Sequence, residues 1–151
     1  MELLPCMAAG AFGGRRMKEL TLDAKVEHLD QVLALVDGLL EERDCPMKTQ
    51  MQVDVAVEEL FVNIAHYAYT PQTGQATVRA RLLDEPSAIE VTLIDSGKPY
   101  DPLAKEDPDI TLPVEERPIG GLGIYMVKQS MDKVHYEYKD GQNVLTFIKC
   151  L

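Results

Sequence analysis

Apolar residues recur along this chain in two rhythms, and the switches between them mark the elements. Residues 18–22 (KELTL) alternate, the period of a strand with one buried face. From Ala24 the spacing changes. Val26, Leu29, Val32, Leu33, Val36, Leu39 and Leu40 recur every three or four positions, with Glu27, Asp30, Gln31 and Asp37 on the opposite face. That is an amphipathic helix, which Asp23 can cap and which should end near Asp44, ahead of Pro46. A second helix is expected over 47–68, with Val53, Val57, Leu60, Phe61 and Ile64 as its buried stripe. The run Thr70-Pro71-Gln72-Thr73-Gly74 then turns the chain.

The alternating rhythm returns over 75–83, where Ala76, Val78, Ala80 and Leu82 share one side and Thr77, Arg79 and Arg81 the other. After a turn at Asp84-Glu85-Pro86-Ser87, residues 89–94 (IEVTLI) form a second strand, so the two read as a hairpin. Over 101–118 no period survives. The segment holds four prolines and many acids and is longer than most connections, the profile of a functional lid or a disordered stretch. A short helix over 124–131 follows, then strands over 134–138 and 144–148 around a turn at Asp140-Gly141. Too few helices separate the later strands for a doubly wound parallel sheet. The expected fold is α+β: a two-layer sandwich of a mixed, mostly antiparallel sheet covered on one face by helices.

Composition narrows the partners. The chain has 151 residues, 46% hydrophobic and 26% charged, which suits one folded domain. Lys and Arg total 15 against 25 Asp and Glu, a formal net charge of -10, so a nucleic-acid or anionic-membrane surface is not expected. Three cysteines without CxxC spacing point to reduced thiols in a cytoplasmic protein and to no structural zinc. Residues 1–16 place their arginines after a short, broken apolar run, the reverse of a signal peptide. They read as a flexible extension ahead of a domain over 17–151, with Met1 or Met17 as the start.

Three stretches carry candidate chemistry. The first is Glu59-Leu-Phe-Val-Asn63: an acid and an amide four apart share a helical face, so a proton acceptor and an oxygen ligand for a hard cation can serve one space. Alone, this spacing is also that of many solvated helices. The second is Asp95-Ser96-Gly97-Lys98-Pro99-Tyr100-Asp101-Pro102, directly after a β-branched strand. It is either an ordinary turn or a carboxylate at a pocket mouth with a glycine that lets a ligand approach. The third, Gly120-Gly121-Leu122-Gly123, enters a helix, where unpaired N–H groups and the helix dipole favour an anion. It has neither the Walker nor the GxGxxG spacing, which argues against P-loop and Rossmann domains.

In this order and spacing, the three stretches resemble the N, G1 and G2 boxes of the GHKL (histidine kinase-like) ATPases. The match is nearest to the single-domain anti-sigma-factor serine/threonine kinases. DSGKPYDP is similar to that branch's Asp-x-Gly-x-Pro-Phe-Asp-Pro, with Tyr100 for the Phe, and GGLGIYMVKQSMDKVHY to its Gly-Gly-x-Gly run. The resemblance covers residues 18–150 and implies a Bergerat-type ATP-binding fold. It implies Glu59 as general base, Asn63 as Mg²⁺ ligand, Asp95 as acceptor for the adenine amine and Gly97 as the opening for the base. Tyr100, Gly120, Gly121, Leu122 and Gly123 would border the nucleotide beneath a lid over 101–119. Lys98, Lys105 and Arg117 are candidate cations for the phosphates, with Arg117 preferred; Glu58 is the alternative to Glu59.

The implied function is an ATP- and Mg²⁺-dependent kinase that phosphorylates a serine or threonine of a small antagonist protein in partner switching. The chain would act as a homodimer and could bind a sigma factor. The alternative is a nucleotide-gated module that sequesters its partner without chemistry. A sensor histidine kinase would need a helical segment bearing a phosphoacceptor histidine, and residues 1–16 contain none.

Overall fold

The computed structural model describes residues 17–104, 107, 109, 111–113, 115 and 122–151. The predicted extension over 1–16 lies outside them, as do Lys105, Arg117, Gly120 and Gly121. Five strands form one sheet: β1 (Lys18–Asp23), β2 (Gln75–Asp84), β3 (Ser87–Asp95), β4 (Lys133–Lys139) and β5 (Gln142–Cys150). Their order is β1-β2-β3-β5-β4, and every pairing is antiparallel. The expected sandwich is therefore present, and the sheet is wholly antiparallel rather than mixed. Tight connections at 85–86 and 140–141 build the two hairpins; Asp140 and Gly141 both take positive φ, the backbone a two-residue hairpin turn requires.

Three helices cover one face: α1 (Leu29–Glu42), α2 (Met47–Asn63) and α3 (Leu122–Ser130). Their buried residues meet the inward side of the alternating strands. Val36 and Leu39 of α1, Val57 and Phe61 of α2, and Val127 of α3 belong to one cluster with Val78, Val91, Leu93 and Phe147. Side chains this size contribute about 1.5–3 kcal/mol each when fully buried, and Phe61 and Phe147 are both at 0% exposure. The other sheet face is tied by polar cross-strand pairs: Thr21 with Thr77, Glu19 with Arg79, Arg81 with Glu90, and Thr92 with Thr146. Among the described residues no helix is long and apolar enough to cross a membrane.

Several local expectations are corrected. Asp23 ends β1 instead of capping a helix; its carbonyl accepts from Lys25 N, a 3-10 turn (Val26–His28) precedes α1, and Val26 is exposed. The C-terminus of α1 is held by Arg43, whose guanidinium donates to Leu83 O, Ser87 Oγ and Asp84 Oδ1 at 3.0, 2.6 and 2.6 Å. One cation thus closes a helix end and clips it to the β2–β3 turn. The second helix leaves α geometry at Asn63, and Ile64–Ala68 form a π-helical turn, with Thr70 Oγ1 donating to the His66 carbonyl at 2.6 Å.

Asp37 does not lie on a solvated face. It meets Asp54 of α2, and the Oδ1 atoms of both are buried without a donor among the described residues. Two carboxyls in such contact share a proton. Asp54 is pushed from 3.8 up to about 8, first by burial and then by its hydrogen bond to Asp37 and that neighbour's charge. The folded protein therefore keeps a proton that the unfolded chain releases above about 3.8. This pair's stabilising contribution is complete below that value and declines until about pH 8. Asp54→Asn supplies a permanent donor. Thermal melts across pH 4–8 should show the variant's advantage over wild type growing with pH, to a few degrees at pH 8. An unchanging difference would refute the shared proton.

Candidate active site

The end of α2 supplies one wall of the site. Glu59 and Asn63 lie one turn apart on it, both half-buried, while Glu58 is exposed. The glycine that opens the first turn of α3 makes room for one of these acids. A Cβ built on Gly123 would fall 2.0 Å from Glu59 Oε2 and 2.3 Å from its carboxyl carbon. Glu59 therefore packs its carboxylate on the backbone of α3, near the helix's positive end. Leu122 beside it is exposed.

The loop after β3 supplies the opposite wall. Asp95 closes β3 on the helix-facing side and is only 6% exposed. Its Oδ1 accepts from Gly97 N at 2.9 Å, an Asx turn that bends the chain out of the sheet, and from Asn143 Nδ2 at 2.9 Å. Both bonds fall on Oδ1, which leaves Oδ2 for a ligand donor. Gly97 is needed by the protein itself: a Cβ there would lie 2.2 Å from the Ala68 carbonyl oxygen, which accepts Lys98 N at 3.0 Å. The end of the π turn and the loop thus sit backbone against backbone. Asp101 caps the short 3-10 turn Pro102–Ala104 through Leu103 N at 2.8 Å, which explains why Asp-Pro stands there.

Between these walls lies a cavity of about 620 Å³. Asn63, Asp95, Lys98 and Tyr100 line it, over an apolar floor that includes Leu60, Leu93 and Leu145. Apolar walls with a few placed polar groups are what a flat heterocycle needs. Glu59, Gly97, Leu122 and Gly123 stand outside the lining, Glu59 and Gly123 beside Ile124, which is in it. Tyr67 also lines the cavity, and the ring of exposed His66 meets it edge-on at 5.9 Å. Of the predicted lid, Asp107 is tied to α3 by an ion pair with Lys128 at 2.6 Å.

The donor set suits magnesium, which takes one or two protein oxygens and completes its shell with phosphate and water. Asn63 supplies such an oxygen at the cavity wall, and no cluster of three metal-binding side chains occurs among the described residues.

Three residues escaped the sequence reading. Asn143 is at 7% exposure and stands beside Asp95 across the β3–β5 ladder. Tyr136 donates its hydroxyl to Asn143 Oδ1 at 2.5 Å, and burial pushes that phenol above its ordinary value, so it stays a donor. Tyr69 donates to Gln75 O at 2.5 Å and accepts from Ser96 N at 2.7 Å, and its ring fills the space beside Gly74. It pins the start of β2 to the loop after β3. Cross-strand register is the signal for Asn143; Tyr136 ends the stretch that carries the family resemblance, and Tyr69 carries no signal in sequence.

The sequence profile described as the histidine kinase-like ATPase domain matches residues 22–149. The chain belongs to this ATPase family. The family implies that the domain binds ATP, and the match bears out the resemblance read from the three stretches. A serine-protein kinase RsbW of Bacillus mycoides is 26% identical over 131 residues, covering 84% of this chain and 81% of that protein. The same-named protein of a Bacillus cereus strain is 27% identical with the same coverage. In fold, the chain is similar to a Mycobacterium tuberculosis crystal structure of RsbU and RsbW domains, with a TM-score of 0.63 at 18% identity. That match covers 89% of this chain and 32% of the other, so the chain spans about a third of that longer protein.

Within this ATPase domain, Gly123→Ala should leave the fold intact, since alanine is the better helix former. Its methyl group would nonetheless displace the Glu59 carboxylate. Release of the ATP γ-phosphate should fall about a hundredfold while the melting temperature holds. A variant with wild-type turnover would show that the contact is idle.

Proposed function

We propose that this ATPase-family protein is an ATP- and Mg²⁺-dependent serine/threonine kinase acting on a small antagonist protein. The observation that carries the reading is Glu59: its carboxylate rests on the first turn of α3, one helical turn from Asn63 at the cavity wall. A proton acceptor and an oxygen ligand one turn apart support a reading in which the phosphate end of a bound nucleotide lies beside them. The relatives named serine-protein kinase RsbW support the same reaction class.

Phosphoryl transfer needs positioning and charge neutralisation more than covalent help. The apolar floor holds the base, and Asp95 Oδ2 accepts from its exocyclic amine. Asn63 is the protein ligand for Mg²⁺, which when bound neutralises phosphate charge. Glu59 takes the proton of the attacking serine or threonine hydroxyl as its oxygen bonds to the γ-phosphorus and the bond to ADP breaks. Lys98, in the lining, is the described cation nearest this role; Lys105 and Arg117 remain candidates from sequence. The setting is a cytoplasmic partner switch, with the antagonist as phosphoacceptor, a sigma factor as the second partner and a second copy of the chain completing a homodimer.

Purified protein, ATP, Mg²⁺ and a candidate antagonist test this directly. Glu59→Ala should slow phosphate transfer by about 10²–10⁴-fold with nucleotide affinity retained, whereas Asn63→Ala should abolish the Mg²⁺ dependence of ATP binding. Transfer by Glu59→Ala at the wild-type rate would sink the mechanism. Partner capture that depends on ATP without any transfer would favour the sequestering module instead.

A further inference from the structure

The Asp95 carboxylate is held by a neighbour with no assigned part in nucleotide binding. Asn143 uses both ends of its amide. Nδ2 donates to Asp95 Oδ1 and to Lys98 O, both at 2.9 Å. Oδ1 accepts from Tyr100 N at 3.1 Å and from the Tyr136 hydroxyl at 2.5 Å. The orientation of the amide is forced: reversed, it would set an oxygen against the carboxylate and an NH₂ against the Tyr100 N–H. The side chain is buried, so losing it removes one of the two donors on Asp95 Oδ1 and leaves Gly97 N as the other.

Resting on the ATP-site reading above, we propose that Asn143 is a positioning residue that sets the nucleobase specificity of the site. With Oδ1 held by Gly97 N and Asn143 Nδ2, the carboxylate is fixed in orientation and presents its other oxygen, an acceptor, to a ligand. An acceptor fixed at that place bonds an exocyclic amine, as on adenine, and repels a ring carbonyl, as on hypoxanthine. The same amide holds the backbone of 98–100 at the cavity edge through Lys98 O and Tyr100 N. A carboxylate freed from Asn143 could turn, and the difference between amine and carbonyl would shrink. No other side chain of this size offers two donors on one side and an acceptor on the other.

The test compares ATP with ITP, in which a carbonyl replaces the exocyclic amine and N1 carries a hydrogen, by equilibrium binding to the full-length protein. Wild type should prefer ATP. In Asn143→Ala, ATP affinity should fall about tenfold or more, and the ATP/ITP ratio should fall with it. Asn143→Asp places two carboxyl oxygens where the 2.9 Å bond stood, so they must share a proton. Its ATP affinity should be near wild type at low pH and decline as pH rises through 6–8, while wild type stays level. Burial keeps the adjoining phenols of Tyr69 and Tyr136 from titrating in that range. Equal loss of ATP and ITP binding in Asn143→Ala, or a level profile for Asn143→Asp in folded protein, would overturn the proposal. Wild type that binds neither nucleotide would overturn the ATP-site reading beneath it.

Discussion

The structure depends on the docking of α2 against the sheet. Val53, Val57, Leu60 and Phe61 face inward and join the strand residues Val78, Val91 and Phe147 in one core. That burial fixes the rotation of the helix about its own axis. A helix with one face so committed has no freedom over where its next face points. Asn63 is therefore delivered to the cavity and Glu59 to the backbone of α3 by the same packing that stabilises the fold. Stability and site are two readings of one helix orientation.

The opposite wall is built on a different principle. Asp95 and Asn143 come from strands whose alternation turns both toward the helices. The sheet contributes rigidity there, and backbone groups contribute most of the contacts. Gly97 against the Ala68 carbonyl, Lys98 N on the same oxygen, and Ser96 N on the Tyr69 hydroxyl join the loop to the end of the helical segment. The cavity wall built by α2 and the wall built by the loop after β3 are thus mechanically continuous.

Much of this was legible beforehand, for identifiable reasons. The strands and helices announce themselves because their apolar positions repeat at 2 and at 3.6, even though Leu83, Ala88 and Ile148 form a second buried cluster on the sheet face away from the helices. The three candidate stretches were legible because each is local in sequence. What could not be read was contact between distant positions. Asn143 gains meaning only when the ladder sets it beside Asp95. Asp37 looked like solvated helix surface because its partner, Asp54, lies on another helix. The space beside Gly97 looked like room for a ligand because the carbonyl that fills it belongs to Ala68. The π turn escaped because its residues continue the helical pattern without a proline or glycine to interrupt it.

That turn has a consequence for how the chain can vary. A π turn is in effect one residue added to an α-helix. Without the surplus residue at Ile64–Ala68, everything after it would rotate by about 100° and draw back by about 1.5 Å. The Ala68 carbonyl and the Tyr69 hydroxyl would then miss the loop they hold. The register between the two walls is therefore encoded by a count of residues and not by their identity. Many substitutions within the turn could be absorbed, while a single deletion there would uncouple the walls from each other.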